Sequence, residues 1–77
     1  MTISIASLNV FTRENALREL FEKFGKIRSV KIVKDDGLKI SKGEGIVKMD
    51  SRESGLKAIE ELNGRLIDGK NIEVREI

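Results

Sequence analysis

The chain of 77 residues has no cysteine, histidine, proline, tryptophan or tyrosine. Without cysteine there is no disulfide and no thiolate nucleophile. Without histidine as well, Cys/His metal sites and imidazole general bases are excluded. Chemistry would have to run on carboxylates, lysines and hydroxyls. The paired carboxylates Asp35–Asp36 and Glu60–Glu61 are neighbours in sequence, one pair in a turn and one on a helix surface, which does not set them across a cleft. Lys42-Gly43-Glu44-Gly45 lacks the Walker spacing and leads into a strand, so it is no phosphate loop. The expectation is a protein that is not an enzyme, with no metal and no cofactor. Long apolar runs are also missing: none approaches the roughly 18 residues that span a bilayer. Met1 to Leu8 has neither the basic start nor the apolar stretch of a signal peptide. An intracellular monomer, free of membrane and formed by one domain over residues 1–77, is expected.

What the chain does have is charge and pattern. Its net charge is only +2, but the distribution is uneven. Residues 26–48 hold seven basic side chains (Lys26, Arg28, Lys31, Lys34, Lys39, Lys42, Lys48) against Asp35, Asp36 and Glu44. The positive potential therefore lies in the middle third, either as a solvated surface or as an anion-binding patch.

Ile3 and Ile5 alternate with Ser4 and Ala6, which predicts a strand running toward Leu8. Thr12 is the expected N-cap of a helix carrying Ala16, Leu17, Leu20, Phe21 and Phe24 on one face. Gly25 is expected to stop that helix in the left-handed conformation. Ile27, Val30 and Ile32 lead a second strand, Asp35-Asp36-Gly37 a turn, and Leu38 to Lys42 a loop. Gly45, Val47 and Met49 point inward on a third strand, with Glu44, Ile46 and Lys48 outward. Asp50 is the expected cap of a second helix, with Glu53 in the capping-box position and Leu56, Ala58, Ile59 and Leu62 as the buried stripe. Asn63-Gly64 ends it, and Asp68-Gly69 turns into a last strand where Ile72 and Val74 alternate with Glu73 and Arg75.

The order is βαββαβ, an α+β chain. Two helices with one apolar stripe each cover one face of a four-stranded antiparallel sheet and leave the other open. With Ile3, Ile5, Ile32, Val47, Ile72 and Val74 inward, the open face shows Ser4, Ala6, Lys31, Val33, Glu44, Ile46, Lys48, Glu73 and Arg75.

Several segments in this order resemble the RNA recognition motif. Ile3 to Leu8 lies where that family has its second ribonucleoprotein signature, and Lys42 to Met49 where it has its first. Leu17, Leu20, Phe21, Phe24 and Gly25 are similar to the family's first-helix pattern. Ala58-Ile59, Leu62-Asn63-Gly64 and Gly69 to Val74 follow its C-terminal half. The resemblance implies the ferredoxin-like sandwich, with the first and third strands central. It also implies single-stranded RNA as partner, and Lys42 at a phosphate-contacting position. The family's base-stacking slots, however, hold Ser4, Glu44 and Ile46, none with a π-face.

The resulting expectation is weak, salt-sensitive RNA binding through the sheet face and the 34–42 loop. The residues expected to carry it are Ser4, Ala6, Lys31, Val33, Lys39, Lys42, Glu44, Ile46, Lys48 and Arg75. A protein partner is the alternative, either on the sheet face around Val33 and Ile46 or in the manner of the mRNA-export-adaptor and U2AF-homology types. In the latter type an Arg-x-Phe loop binds peptide; here that loop reads Arg65-Leu66-Ile67, and Ile67 is expected to serve ordinary packing. A Lys/Glu-rich surface without proline, tryptophan or tyrosine also fits an engineered version of the fold.

Overall fold

A computed structural model describes residues 1–77. Strands β1 (Thr2–Ala6), β2 (Ile27–Lys34) and β3 (Ser41–Met49) alternate with helices α1 (Glu14–Glu22) and α2 (Arg52–Leu62). Two short strands, β4 (Leu66–Ile67) and β5 (Lys70–Asn71), and a last strand β6 (Glu73–Glu76) complete the chain. The main sheet has the order β2-β3-β1-β6, antiparallel throughout, so the first and third strands are central as expected. Neither helix is long and apolar enough to cross a membrane.

The period of two decides which side is buried. Ile3, Ile5 and Val47 are fully buried, and Ile32 and Val74 nearly so. Leu17 and Phe21 of α1 and Ala58 and Leu62 of α2 meet them, and Leu8, Met49 and Ile72 complete a core of 12 residues. A one-residue slip would have put Ser4 inside and the isoleucines in water. Leu56, expected in the α2 stripe, is instead 46% exposed. Gly55 takes the inward position at that level.

The helix ends differ from the sequence reading by about one residue. Arg13 is the N-cap position of α1, without a side-chain cap. Thr12 is buried, and its Oγ1 donates to Asp68 Oδ2 at 2.7 Å. Its hydroxyl thus ties the β1–α1 loop to the β4–β5 turn and does not serve the helix. Ser51, not Asp50, caps α2, accepting from the Ser54 backbone N–H at 3.2 Å. That shift moves Glu53 out of the capping-box position, and Asp50 pairs with Arg28 instead. The β4–β5 hairpin was missed, although its Asp68-Gly69 turn was read. Both residues have positive φ (49° and 81°), as a two-residue hairpin turn requires. The expected loop at Leu38 to Lys42 is shorter, because β3 already begins at Ser41.

Gly25 follows α1, which ends at Glu22 with Lys23 as its C-cap, but it is not among the positive-φ residues. Its reason is space: a Cβ there would sit 2.7 Å from Ser54 Cβ of α2. Gly25→Ala is therefore expected to destabilise, and adding Ser54→Gly should restore part of the loss. Urea unfolding of the two variants checks this; a Gly25→Ala protein as stable as the parent would remove the steric account.

Phe21 is the largest fully buried side chain. Phe→Ala in a core costs about 3–5 kcal/mol. At roughly 0.05–0.15 kcal/mol per residue, such a domain has on the order of 4–12 kcal/mol in all. Phe21→Ala should therefore be largely unfolded or melt far below the parent in a circular-dichroism scan. A melt within a few degrees of the parent would show that this ring is not central.

Candidate nucleic-acid interface

Cross-strand register arranges the open face in rows. One row runs Lys31, Ile46, Ser4, Arg75 from β2 through β3 and β1 to β6. Toward one end lies Lys48, paired with Ser29 and Thr2. Toward the other, Val33 pairs with Glu44, and Ala6 with Glu73. Basic side chains thus share two neighbouring rows, and the two carboxylates share the third. Ser4, Ala6, Val33 and Ile46 are half-buried, whereas Lys31, Glu44, Lys48 and Arg75 are exposed. The face carries no aromatic ring: Phe21 is buried, Phe24 packs against the core, and Phe11 lies in the β1–α1 loop.

Eight of the ten expected site residues fall on this face. The other two lie at or beyond its edge, near the β2–β3 turn. Lys39 sits in the β2–β3 turn at a φ of 61°. There it lines a groove with Phe11 and Lys34. Lys42 lies where the register jumps from Val33↔Glu44 to Lys34↔Ser41, leaving Lys42 and Gly43 as extra residues in β3. Simple alternation does not assign such a residue to a face. The β2–β3 turn itself is ordered. Asp35 Oδ1 accepts from the Gly37 and Leu38 backbone N–H groups, both at 2.9 Å, and Lys39 N–H donates to Asp35 O at 2.9 Å.

Sequence reasoning missed Thr2 and Ser29 on the open face. Thr2 follows from the alternation that placed Ser4. Ser29 does not, because a register shift between Ile27 and Ser29 interrupts the pattern.

Electrostatics narrows the basic patch. Asp50 faces both Arg28, at 3.2 Å, and Lys26, at 3.9 Å. Two of the seven basic side chains of the middle third are thus committed within the protein. Arg52 donates to Glu76 at 2.6 Å, and that hydrogen bond and charge raise the guanidinium above its ordinary pKa. Glu73 accepts from Ser7 Oγ at 2.9 Å. Lys31, Lys48 and Arg75 form none of the protein's three ion pairs. On the helical side, a cavity of about 430 Å³ lies between α1 and the β4–β5 hairpin, lined by Leu20 and Ile67 and bordered by Glu19, Glu22 and Asp68. Ile67 packs against the core, as expected of it.

A one-sided sheet of this order, with its signature segments on the two central strands, defines a class of small α+β binding domains. A family model described as RNA recognition motif matches residues 3–73, and the chain belongs to that family. Relatives include the human "Probable RNA-binding protein 19", 38% identical over 96% of this chain and 8% of its own length. Another is the maize "Organelle RRM domain-containing protein 1, chloroplastic", 39% identical over 84% of this chain and 16% of its own. The chain thus spans only a small part of both relatives. The solved structure of "RNA Binding Protein PG1" superposes with a TM-score of 0.97 at 31% identity, covering 100% of this chain and 93% of that one. The Sex-lethal protein/RNA complex superposes at 0.92 with 24% identity, covering 99% of this chain and 47% of that one, a likeness of fold.

Asp50→Asn removes both surface ion pairs of the middle third. Exposed pairs contribute about 0–1 kcal/mol each. Urea unfolding should show a loss of roughly that size or less, and a much larger loss would mean that these bridges hold the β2 end in place.

Proposed function

We propose that this chain binds single-stranded RNA weakly and by charge, through the β2–β3 turn and an open sheet face that offers no aromatic stacking. The observation that carries this reading is the pair of neighbouring basic rows. Lys31, Lys48 and Arg75 project from the open face of an RNA-recognition-motif sheet and have no carboxylate partner. The likeness to the human "Probable RNA-binding protein 19" supports RNA as the kind of partner. Each neutralised phosphate releases counterions, so affinity falls as salt rises. Little base preference follows from the missing rings, since base readout in such domains relies on splayed, stacked bases. Lys39 and Lys42 add positive charge at the turn. The domain acts as a monomer inside the cell, a setting that its lack of cysteine fits.

A second reading places a protein on the same face. Val33 and Ile46 are apolar side chains on it, both half-buried, and the exposed Ile77 stands at its edge beside Thr2. That contact would be insensitive to salt.

Fluorescence anisotropy with a labelled, mixed-sequence single-stranded RNA separates the two. Affinity should fall between about 50 and 200 mM salt, with a slope near −0.7 for each phosphate contacted. The Lys31→Ala/Lys48→Ala/Arg75→Ala variant should flatten that slope. Restoring rings with Ser4→Tyr, Glu44→Phe and Ile46→Phe should raise affinity, since each stacked base contributes on the order of 1–3 kcal/mol. Absence of binding at low salt, together with no gain from the rings, would favour the protein partner.

A further inference from the structure

The strongest unexplained feature is Phe11. It is the most exposed of the large hydrophobic side chains, 85% accessible. The loop that carries it is firmly tied. Asn9 Oδ1 accepts from the Phe11 backbone N–H at 2.8 Å, and Asn9 Nδ2 donates to Asp68 O at 3.0 Å. The next residue, Thr12, is buried and bonded to Asp68. The ring is thus held out in water by a loop fixed on both sides of it. Packing does not account for it, because the 12-residue core and the hydrophobics packed on it do not include Phe11.

Phe11 forms one wall of a groove of about 290 Å³, near the lower limit of the roughly 300–1,000 Å³ typical of small-molecule sites. Val10 and Ile40, both exposed, extend the apolar surface. Arg13, Lys34 and Lys39 line the same groove, opposed by a single carboxylate, Glu14. None of the three cations takes part in an ion pair. The turn that presents Lys39 is itself closed by the Asp35 N–H to Ile40 O bond at 2.8 Å. An exposed aromatic ring on an anchored backbone, beside several unpaired cations, matches a base with its flanking phosphates, the combination that single-stranded nucleic acid uses on proteins. A backbone already tied in place need not be ordered on binding, which lowers that part of the entropic cost.

We propose that Phe11, with Lys34 and Lys39, forms a nucleotide-stacking subsite at the junction of the β1–α1 loop and the β2–β3 turn. It supplies off the sheet the one ring that the sheet lacks. This rests on the reading of the chain as an RNA binder and extends it to a second location.

The chain has no tryptophan or tyrosine, so Phe11→Trp gives a single reporter. Titration of this variant with a short mixed-sequence single-stranded RNA at low salt should quench its emission. The midpoint should match that from anisotropy. Phe11→Leu keeps the apolar surface and removes the ring. It should melt with the parent but bind about 5- to 150-fold more weakly, the range for losing one base–aromatic stack. Lys34→Ala/Lys39→Ala should weaken binding and make the salt slope shallower. If Phe11→Leu binds as the parent does while Lys31→Ala/Lys48→Ala/Arg75→Ala weakens binding, the subsite is overturned and the sheet reading stands. If the parent binds no RNA at low salt, both fall. Dimerisation in sedimentation that Phe11→Leu abolishes, with RNA binding unchanged, would assign the groove to a second copy and overturn the proposal.

Discussion

One wall of side chains organises this protein: the inward faces of β1 and β3, where Ile3, Ile5 and Val47 lose all contact with water. Both helices must reach this wall to bury their stripes, so both end on the same side of the sheet. The antiparallel pairing of β1 with β3 and β6 then carries every even-numbered residue of β1 to the opposite face. Interior packing and surface chemistry are therefore set by one register. A change that shifts β1 by a residue would expose the core and bury Ser4 and Ala6 at once.

That coupling explains how a sheet of this family can change its surface without changing its fold. Ser4, Glu44 and Ile46 stand where rings would stack bases, yet none contributes to the core. In the proposed RNA binding, their being non-aromatic costs affinity and leaves the core untouched. Magnitudes decide how large that cost is. A stacked base contributes on the order of 1–3 kcal/mol. A lysine about 5 Å from a phosphate gains roughly 0.8 kcal/mol at the dielectric of water. Screening over about 8 Å at physiological ionic strength reduces it further. Three sheet cations cannot replace two or three rings, which is the physical basis of the weak affinity proposed above.

Much of the fold was legible because it follows from periodicity. Alternation at Ile3/Ile5 and Val47/Met49 and the spacing of Leu17 and Phe21 survive any local irregularity. Features that depend on a single residue's geometry were harder to read. Thr12 and Asp50 have the chemistry of helix caps, but each finds a tertiary partner, Asp68 and Arg28, invisible in local sequence. Leu56 fits the apolar period of α2 but stands outside the region the sheet covers. Gly25 stands just after a helix, where glycine commonly terminates it, yet answers to the neighbouring Ser54. Of the candidate site, the sheet positions were readable from alternation. Lys42 was not, because an irregularity of two residues in β3 intervenes. The exposure of Phe11 was not either, because nothing local distinguishes an aromatic that packs from one that is held out.

The charges on the open face also limit how a polyanion could lie on it. Adjacent strands are about 4.8 Å apart, and alternate residues along a strand about 6.6 Å. Glu44 and Glu73 therefore stand roughly one row from Lys31 and Arg75, a separation shorter than the physiological screening length. The carboxylates still repel a phosphate where the cations attract it. A backbone crossing the sheet is driven toward the Lys31–Arg75 and Lys48 rows and away from the row of Glu44 and Glu73. The basic residues of the β2–β3 turn lie beyond that acidic row, as a separate region of positive potential. Two positive regions divided by a negative row are a different electrostatic problem from one continuous patch, even though the net charge of the chain, +2, is the same in either case.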